Sequence, residues 1–404
     1  MAKSANKNPH LGVYVQQPTG YRAFMPCSLP LKPPLRLTDQ LVMILSEADR
    51  AIGRLDAATQ LLPNPDLFVA MYVRREAVYS SQIEGTQASL TDLLEYEADA
   101  AAKGIAPDVR EVVNYVHALD YGIKRLDKLP LSLRLIKEIH QELLQGVRGG
   151  NMETGEFRRT QNWIGPPGCT LGDANFIPPP PHEVLNLMGN LELFLHDGSP
   201  IPPLVRCAMA HVQFETIHPF LDGNGRVGRL LITFWLFWKD ILKRPLLYLS
   251  HYFKKNRQEY YDRLQRVRDA GHWSDWIQFF LEGVRSVATE AADTARKIQE
   301  MREGHRRMLV NQTGGVQALD QLFTHPMITI NQVRDAIEMT YPVAANLVRY
   351  MEEKGLLVET TGHARGRIFA YQPYLALLGE PVINRSAVTE AGNRAKKARP
   401  PRKV

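Results

Sequence analysis

Apolar residues recur at helical spacing through most of the chain, and this periodicity constrains the fold more than any other feature. Residues 38–61 place Leu, Ile and Ala side chains on one stripe, and Pro63 ends that pattern. A second helix is predicted over 66–84, with Gly85 just past its end. Two more amphipathic stretches fill 108–145. The sequence therefore predicts a mainly α protein.

Helical spacing resumes in the second part of the chain after one short interruption. The later predicted helices lie at 182–196, 203–217, 227–240, 254–270 and 273–303. Before them, residues 157–164 and 175–177 flank a Gly/Pro-rich loop, which predicts a β-hairpin with a long tip. The four prolines at 178–181 predict an extended exit from it.

The C-terminal part of the chain carries a different order of elements. Helical patterns lie at 316–324, 329–338 and 342–353. Two strand patterns, 355–361 and 367–371, follow around a turn that contains glycine. Three helices followed by such a hairpin predict a winged helix.

Composition excludes several classes of protein. At about 150 residues per domain, 404 residues suggest two or three domains, and 44% apolar residues supply a real core. The longest strongly apolar run, Leu230–Trp238, is far shorter than the roughly 20 residues that span a bilayer. Residues 1–9 are polar and do not resemble a secretory signal, so we expect a cytoplasmic protein without a membrane span. The three cysteines have neither disulfide nor zinc spacing.

The net charge of +6 is concentrated at the C-terminus. Residues 384–404 hold seven Lys and Arg against one Glu, which alone is +6, so the rest of the chain is neutral. A short basic tail with two prolines predicts a disordered, solubilising terminus, and a weak polyanion anchor is the alternative.

The segment HPFLDGNGRVGR, residues 218–229, has the composition of a phosphate site. Gly223 and Gly225 lack a Cβ atom, so backbone amides at the start of the following helix can approach an oxyanion closely. Arg226 and Arg229 add two permanent cations with planar donor groups that suit phosphate oxygens.

The same segment holds a candidate base and a candidate metal ligand. His218 has a side chain that titrates near neutrality and can accept a hydroxyl proton. Asp222 offers hard oxygen atoms of the kind that Mg²⁺ uses beside phosphates. Each residue alone has an ordinary structural explanation, and their joint occurrence within twelve residues indicates a functional site.

These twelve residues resemble the full motif of the Fic family, H-x-F-x-[D/E]-G-N-G-R-x-x-R, with every fixed position filled. The resemblance extends over about residues 38 to 300 and implies a Fic-type helical core with a β-hairpin flap. Members of this family transfer a nucleotide monophosphate, usually AMP from ATP, to a protein hydroxyl. Relatives that phosphorylate carry Lys where this chain has Gly225, which favours AMP transfer.

The resemblance also implies roles for individual residues. His218 would be the base, and Asp222 would be the Mg²⁺ ligand. The residues implied to hold phosphates are Gly223, Asn224, Gly225, Arg226 and Arg229.

A second resemblance lies upstream, where Ser80–Gly85, SSQIEG, is similar to the family's inhibitory motif, [S/T]-x-x-x-E-[G/N]. Glu84 in the last turn of a helix faces the negative end of the helix dipole, which costs about 0.3 to 1 kcal/mol unless a cation compensates. The family's partner for this glutamate corresponds to Arg229, so the resemblance implies autoinhibition in cis through Ser80 and Glu84. A solvated glutamate at a helix end is the alternative.

Two further features resemble the family. The hairpin at 157–177 is similar to a flap that holds a target segment by strand addition, and a purely structural hairpin is the alternative. Tyr260 and Tyr261 match a tyrosine pair near the adenine, which implies nucleotide contact by Tyr261. Two core aromatics are the alternative.

We therefore predict a protein adenylyltransferase organised in six segments. They are an extended N-terminal arm (1–37), a helical region with the inhibitory motif (38–100), a Fic catalytic core (101–250), a helical extension (251–313), a winged helix (314–378) and a basic disordered tail (379–404). The predicted substrate is ATP, the cofactor is Mg²⁺, and the acceptors are a hydroxyl-bearing target protein and the chain itself. Homodimer formation is left open.

Two other functions remain as alternatives. A DNA-binding regulator would use the winged helix, where residues 342–353 offer Asn346 and Arg349 but also Glu352 and Glu353. A Fic-type deAMPylase would run the reverse chemistry, with Glu84 orienting a water molecule.

Overall fold

The computed structural model describes residues 8–60, 62, 65–98, 104–147, 149–150, 152–166, 168–363 and 365–380. The α-helices of these residues are α1 Asp39–Gln60, α2 Pro65–Ile83, α3 Leu90–Ala98, α4 Pro107–Leu126, α5 Leu133–Leu143, α6 Pro181–His196, α7 Pro203–Ile217, α8 Asn224–Trp238, α9 Ser250–Lys255, α10 Arg257–Ala270, α11 Trp273–Leu309, α12 Gly315–Thr324, α13 Ile330–Ile337, α14 Tyr341–Glu353 and α15 Gln372–Leu377. The β-strands are β1 Val13–Gln16, β2 Arg22–Met25, β3 Met327–Thr329, β4 Leu357–Glu359 and β5 Ile368–Tyr371. The predicted mainly α fold is confirmed.

The chain forms two compact units, and helices α7 and α8 lie at the core of the first. This unit comprises the chain up to Ala57, Arg75–Gln87 and Arg110–Ala292. Both core helices are apolar on nearly every side, so they are buried all round. Helices α6, α8 and α10 pack on α7, while α5 contacts α6 and α8.

The predicted extended arm contains an antiparallel hairpin of β1 and β2, which the sequence analysis did not predict. Val13 pairs with Met25 and Gln16 with Arg22. Gly20 has a φ of 94° in the intervening turn, a conformation that glycine adopts without strain. The amide of Phe24 donates to the carbonyl of Ile177, which ties the hairpin to the rest of the unit.

The hairpin predicted over 157–177, here called the flap segment, is reduced to a single antiparallel bridge between Ile164 and Phe176. Apart from this bridge, the two halves form no further strand pairs among the described residues, and polar groups of the first half bond to the loop after α7 instead. The amide of Arg158 donates to the carbonyl of Pro219, and the Asn162 side chain donates to the carbonyl of Phe220.

Several predicted helix boundaries also differ; for example, α11 continues to Leu309 instead of ending at residue 303. The helix predicted at 227–240 begins three residues earlier, because Gly223 at φ 78° caps it and brings Asn224 into the first turn. The helix predicted at 254–270 is two helices, α9 and α10, separated at Asn256. Asn256 leaves the helical region (φ −112°, ψ 38°), and its side chain donates to the carbonyl of Tyr252.

The second unit comprises Ala58–Arg74, Ala88–Val109 and the chain from Asp293 onward. Here the three predicted helices and both predicted strands are present as α12, α13, α14, β4 and β5. The sequence missed β3, which pairs with β5 in a sheet of order β3-β5-β4. Thr329 caps α13 with a capping box that includes Gln332.

Within the described ranges, no helix is both long enough and apolar enough to cross a membrane. Residues 381–404, which hold nearly all of the predicted basic tail, lie outside the described residues, as do residues 1–7 of the predicted arm.

Candidate active site

The loop between α7 and α8 is held in a conformation that brings His218 to the end of α7. His218 adopts a left-handed backbone (φ 50°, ψ 62°), which is uncommon for a residue with a side chain. Its carbonyl oxygen accepts from the Arg158 Nε atom at 2.9 Å and from the Asn162 Nδ2 atom at 3.2 Å. These donors from the flap segment fix the strained residue, and sequence reasoning did not identify either of them.

Asn224 and His140 fix the rest of the loop. The Asn224 side chain bonds to both the amide and the carbonyl of Phe220 at 2.8 Å. His140 accepts from the amide of Gly155 at Nδ1, so its Nε2–H donates to the carbonyl of Asp222 at 3.1 Å. Burial lowers the pKa of His140 to about 4, which keeps this ring neutral near pH 7.

A cavity of about 1210 Å³ lies against this loop. It is lined by Glu84, which directly follows α2, by residues of α8 and α10, by the end of α7 and by part of the flap segment. The lining residues include Glu84, Glu215, His218, Gly225, Arg229 and Tyr261. Five of them were predicted site residues, and Glu215 was not.

His218 enters the cavity as a neutral imidazole. Its Nδ1 atom is buried without a hydrogen-bond partner among the described residues. Burial lowers the pKa of His218 to about 3, and the positive charges of Arg268 and Arg158 act in the same direction. Near neutral pH the ring is therefore unprotonated and can accept a proton.

Arg229 is buried and paired with the end of helix α2. One of its terminal nitrogens donates to the Glu84 Oε1 atom at 2.7 Å, and its Nε atom donates to the Ser80 hydroxyl at 2.8 Å. Burial alone would raise the pKa of Glu84, but the charge and hydrogen bond of Arg229 lower it overall. The three residues form one ionic cluster, as the resemblance implies.

Gly225 makes room for this cluster. A Cβ atom on Gly225 would lie 2.2 Å from the Glu84 Oε1 atom, closer than any real contact. The absence of a side chain at Gly225 therefore leaves space for the Glu84 carboxylate at the first turn of α8, which the sequence did not reveal.

Arg226 and Asn224 are engaged within the protein. Arg226 is buried, and its guanidinium donates to the Glu111 Oε2 atom at 3.1 Å. The same carboxylate oxygen accepts from the Thr86 hydroxyl at 3.0 Å. As far as the structure describes the chain, neither Arg226 nor Asn224 lines the cavity.

The two adjacent tyrosines differ in environment. Tyr260 is a core residue, and its hydroxyl donates to the Nε2 atom of His211 at 2.9 Å. The Nδ1–H of His211 in turn donates to the carbonyl of Gly228 on α8. Tyr261 is 38% exposed and presents its ring to the cavity. A nucleotide in the cavity can therefore contact the exposed ring of Tyr261, whereas Tyr260 is buried.

Asp222 has the chemistry of a ligand for a phosphate-bound cation. Its Oδ1 atom accepts from the amide of Gly223 at 2.6 Å and lies 3.8 Å from Arg226, while the side chain is 34% exposed. The described residues contain no cluster of three or more His, Cys, Asp or Glu that could hold a metal by themselves. Mg²⁺ that arrives with phosphates needs only one or two carboxylates, so the chemistry of Asp222 suits that role, although Asp222 is not among the described residues that line the cavity.

Comparisons with known proteins agree with this geometry. Residues 42–124 match the Fic/DOC family N-terminal domain, and residues 130–236 match the Fic/DOC family domain. The protein adenylyltransferase Fic of Drosophila grimshawi is 33% identical over 161 residues, which are 38% of this chain and 31% of that protein. A probable protein adenylyltransferase of Aquifex aeolicus is 28% identical over 208 residues, 50% of this chain and 57% of that protein.

The chain thus spans between about a third and somewhat more than half of these relatives. A Fic family protein from Desulfovibrio desulfuricans G20 has a solved structure with a TM-score of 0.55 and 21% identity. The match covers 84% of this chain and 97% of that one, which shows a shared fold. The chain therefore contains a Fic/DOC family N-terminal domain, which includes Glu84, followed by a Fic/DOC family domain, which includes His218 and Arg229.

Proposed function

We propose that the chain is a protein adenylyltransferase that transfers AMP from ATP to a hydroxyl side chain of a protein. The observation that carries this proposal is that His218 and Arg229 line one cavity at the N-terminus of α8. The cavity volume of about 1210 Å³ is ample for a nucleotide, since ligand sites are typically about 300 to 1,000 Å³. The names of the curated relatives support the same activity.

In the proposed reaction, the acceptor hydroxyl attacks the α-phosphorus of ATP. The new oxygen–phosphorus bond forms as the bond to the β-phosphate breaks, and pyrophosphate leaves. His218 takes the hydroxyl proton, for which a neutral ring is required. Its low pKa makes the proton-accepting form dominant near neutral pH.

The negative charge of ATP would be held mainly by helix α8 and Arg229. The backbone amides of the first turn and the helix dipole favour an anion at this place. Mg²⁺, held by Asp222, would neutralise part of the phosphate charge. Asn224 supports this site by fixing the loop, whereas Arg226 would need to turn away from Glu111 to reach a phosphate.

Autoinhibition by Glu84 is part of the proposal. The carboxylate of Glu84 already occupies the guanidinium of Arg229 that a phosphate would otherwise bind. A triphosphate entering the cavity would then lack its cation and lie out of line with the acceptor. A misplacement of about 1 Å can cost about 10²-fold in rate.

Labelling with two forms of ATP tests the reaction. The purified protein is incubated with Mg²⁺ and ATP carrying the label on either the α- or the γ-phosphate, both as wild type and as Glu84→Gly. AMP transfer leaves the α label on protein and releases the γ label. Retention of the γ label would instead indicate phosphorylation, and retention of neither label would refute the proposed activity.

We also infer a winged helix in the second unit. The order α12, β3, α13, α14, β4, β5 and the three-stranded sheet support this reading. An experimental structure of the chain, superposed on known winged helices, would test it. A different position of β3 relative to the hairpin would count against the inference.

A further inference from the structure

Glu215 is a buried carboxyl group in the cavity that the proposed reaction does not use. It lies on α7, three residues before His218, and it is 6% exposed. Its Oε1 atom is buried and has no hydrogen-bond partner among the described residues. An unsatisfied buried polar atom destabilises the fold, so a group that completes its hydrogen bonding is expected to bind there.

The position of Glu215 mirrors that of Glu84. A Cβ atom on Gly228 would lie 2.3 Å from the Glu215 Oε1 atom, just as one on Gly225 would lie 2.2 Å from Glu84. Gly225 and Gly228 are one helical turn apart on α8, so they share a face of the helix. The two carboxyl groups are therefore seated one after the other along the surface where the polyphosphate is proposed to lie.

Charged groups from α8, from α10 and from the turn after α2 face Glu215. Burial is the main influence and raises its pKa to about 7. Arg229 on α8 and Arg268 on α10 oppose that rise, whereas Glu84, directly after α2, adds to it. The nearby Tyr260 hydroxyl has a pKa far above neutrality and stays uncharged. Near pH 7 this carboxyl group can thus be neutral or ionised at little cost.

We propose that Glu215 is a nucleotide-binding residue whose carboxyl group is neutral in the complex and donates its hydrogen to a phosphate oxygen. An ionised carboxylate beside a polyphosphate would be repelled, and such a neighbour favours the neutral form. A neutral carboxyl group has one O–H donor, which a phosphate oxygen accepts. The inference rests on the proposed function only in that a nucleotide occupies the cavity, and it does not require AMP transfer.

This role links nucleotide binding to uptake of a proton. Below about pH 7 the carboxyl group is already neutral, and binding needs no proton. Above that pH the Glu215 carboxyl group of the free protein is ionised, so it must take up one proton when the nucleotide binds. Nucleotide affinity should then fall by up to about tenfold for each pH unit.

The experiment measures binding of α,β-methylene-ATP, which cannot donate AMP, between about pH 6 and about pH 9. Three full-length proteins are compared: Glu84→Gly, Glu84→Gly/Glu215→Gln and Glu84→Gly/Asp262→Asn. Removal of Glu84 frees Arg229 in all of them. Glutamine has the shape of a neutral glutamic acid and donates a hydrogen bond at every pH. Asp262 lines the same cavity, so its amide variant controls for loss of a negative charge.

We expect affinity to fall with pH in the Glu84→Gly protein and in the Asp262→Asn control, and to fall much less in the Glu215→Gln protein. Titration of the nucleotide's own phosphate is common to all three and cancels in the comparison. Equal pH profiles in the three proteins would overturn the role of Glu215, and so would failure of the analogue to bind.

A second measurement does not depend on folding of the double variant. Calorimetric titration of the Glu84→Gly protein above pH 7, in two buffers with different ionisation heats, should show uptake of about one proton beyond that of the nucleotide. No such uptake would refute the inference. Binding with proton uptake but without label transfer would refute the proposed reaction and leave the role of Glu215 standing.

Discussion

At the scale of single residues, Arg229 is the point where catalysis and inhibition meet. Its guanidinium bonds to Ser80 and Glu84, and it is the cation proposed to hold ATP. Mutation of either partner leaves the other charge uncompensated, but the two mutations have different effects on the proposed nucleotide site. Loss of Glu84 frees a ligand for phosphate, whereas loss of Arg229 deletes that ligand.

Glu84→Gly should therefore raise self-labelling by at least about tenfold at saturating ATP and Mg²⁺, because Arg229 becomes available to align the triphosphate. Label from α-labelled ATP, counted on the purified chain, measures the effect. Arg229→Ala should not be activated, and Glu84→Gly/Arg229→Ala should behave like Arg229→Ala. Equal labelling by wild type and Glu84→Gly would remove autoinhibition from the account and leave the transferase proposal intact.

His218→Ala should lower labelling about 10² to 10⁴-fold, because general-base catalysis contributes about that much. The test is made in the Glu84→Gly background, where activity is high enough to measure a large loss. Binding of α,β-methylene-ATP serves as the control and should persist, since His218 acts on the acceptor hydroxyl. Unchanged labelling would show that another group takes the proton.

At the scale of elements, helix α2 positions the inhibitory residues and is anchored by Glu76. Glu76 and Ser80 are spaced four apart on one face of the helix, and Glu84 follows at the same spacing, one residue past its end. The Glu76 carboxyl accepts from the Tyr115 hydroxyl at 3.0 Å and from the amide of Ser250 at 3.2 Å. Helix α2 is thereby fixed where Glu84 reaches Arg229.

Glu76→Gln should make stability less dependent on pH. Burial raises the pKa of Glu76 from 4.5 to about 7, so the folded protein holds a proton there that the unfolded chain releases. This contribution is complete below about pH 4.5 and is lost as the pH rises to about 7, up to about 3 kcal/mol. Glutamine cannot ionise, so the variant should lose less stability over that range.

Chemical unfolding at pH 5 and pH 8 measures this difference between wild type and Glu76→Gln. Glu215 has the same sign of shift and remains in the variant, so part of the pH dependence should persist. Identical losses of stability in the two proteins would show that Glu76 is ionised in the folded state.

At the scale of the whole molecule, the second unit draws on three separate stretches of the chain. Within it, α3 contacts β3, and the Gln332 side chain donates to the carbonyl of Ala98 at 3.2 Å. The apolar residues of α3, which include Leu90, Leu93 and Leu94, are buried. This unit therefore cannot be removed as a simple C-terminal piece.

Deletion of residues 314–404 should lower the melting temperature and cause aggregation, because α3 would lose its contacts with β3. Thermal unfolding and size-exclusion chromatography measure both effects. Deletion of residues 381–404 alone is the control, and its composition predicts little change. A fully stable, monodisperse product of the longer deletion would show that α3 does not depend on the later part of the unit.

Most of the helices and the loop at 218–229 are predictable from the sequence, whereas α3 and α15 are not. The link between Glu84 and Arg229 follows from the family resemblance. Helical periodicity is local, and the two motifs are contiguous, so both can be read from the chain alone. Sequence patterns did not predict the N-terminal hairpin, strand β3 or the limited pairing in the flap segment. Strand pairing depends on partners that local patterns do not specify, such as Ile177 for β2.

Which polar groups are accessible to a ligand depends on contacts between segments that are distant in the sequence. The resemblance assigns both Arg226 and Asn224 to phosphates. In the structure Arg226 donates to the Glu111 carboxylate, and the Asn224 side chain bonds to the backbone of Phe220 in the same loop. Glu215 belongs to no motif, and nothing in its sequence context indicates an unpaired oxygen. Burial and ion pairing arise where distant segments meet, and both shift the pKa of a side chain away from the value expected for its residue type.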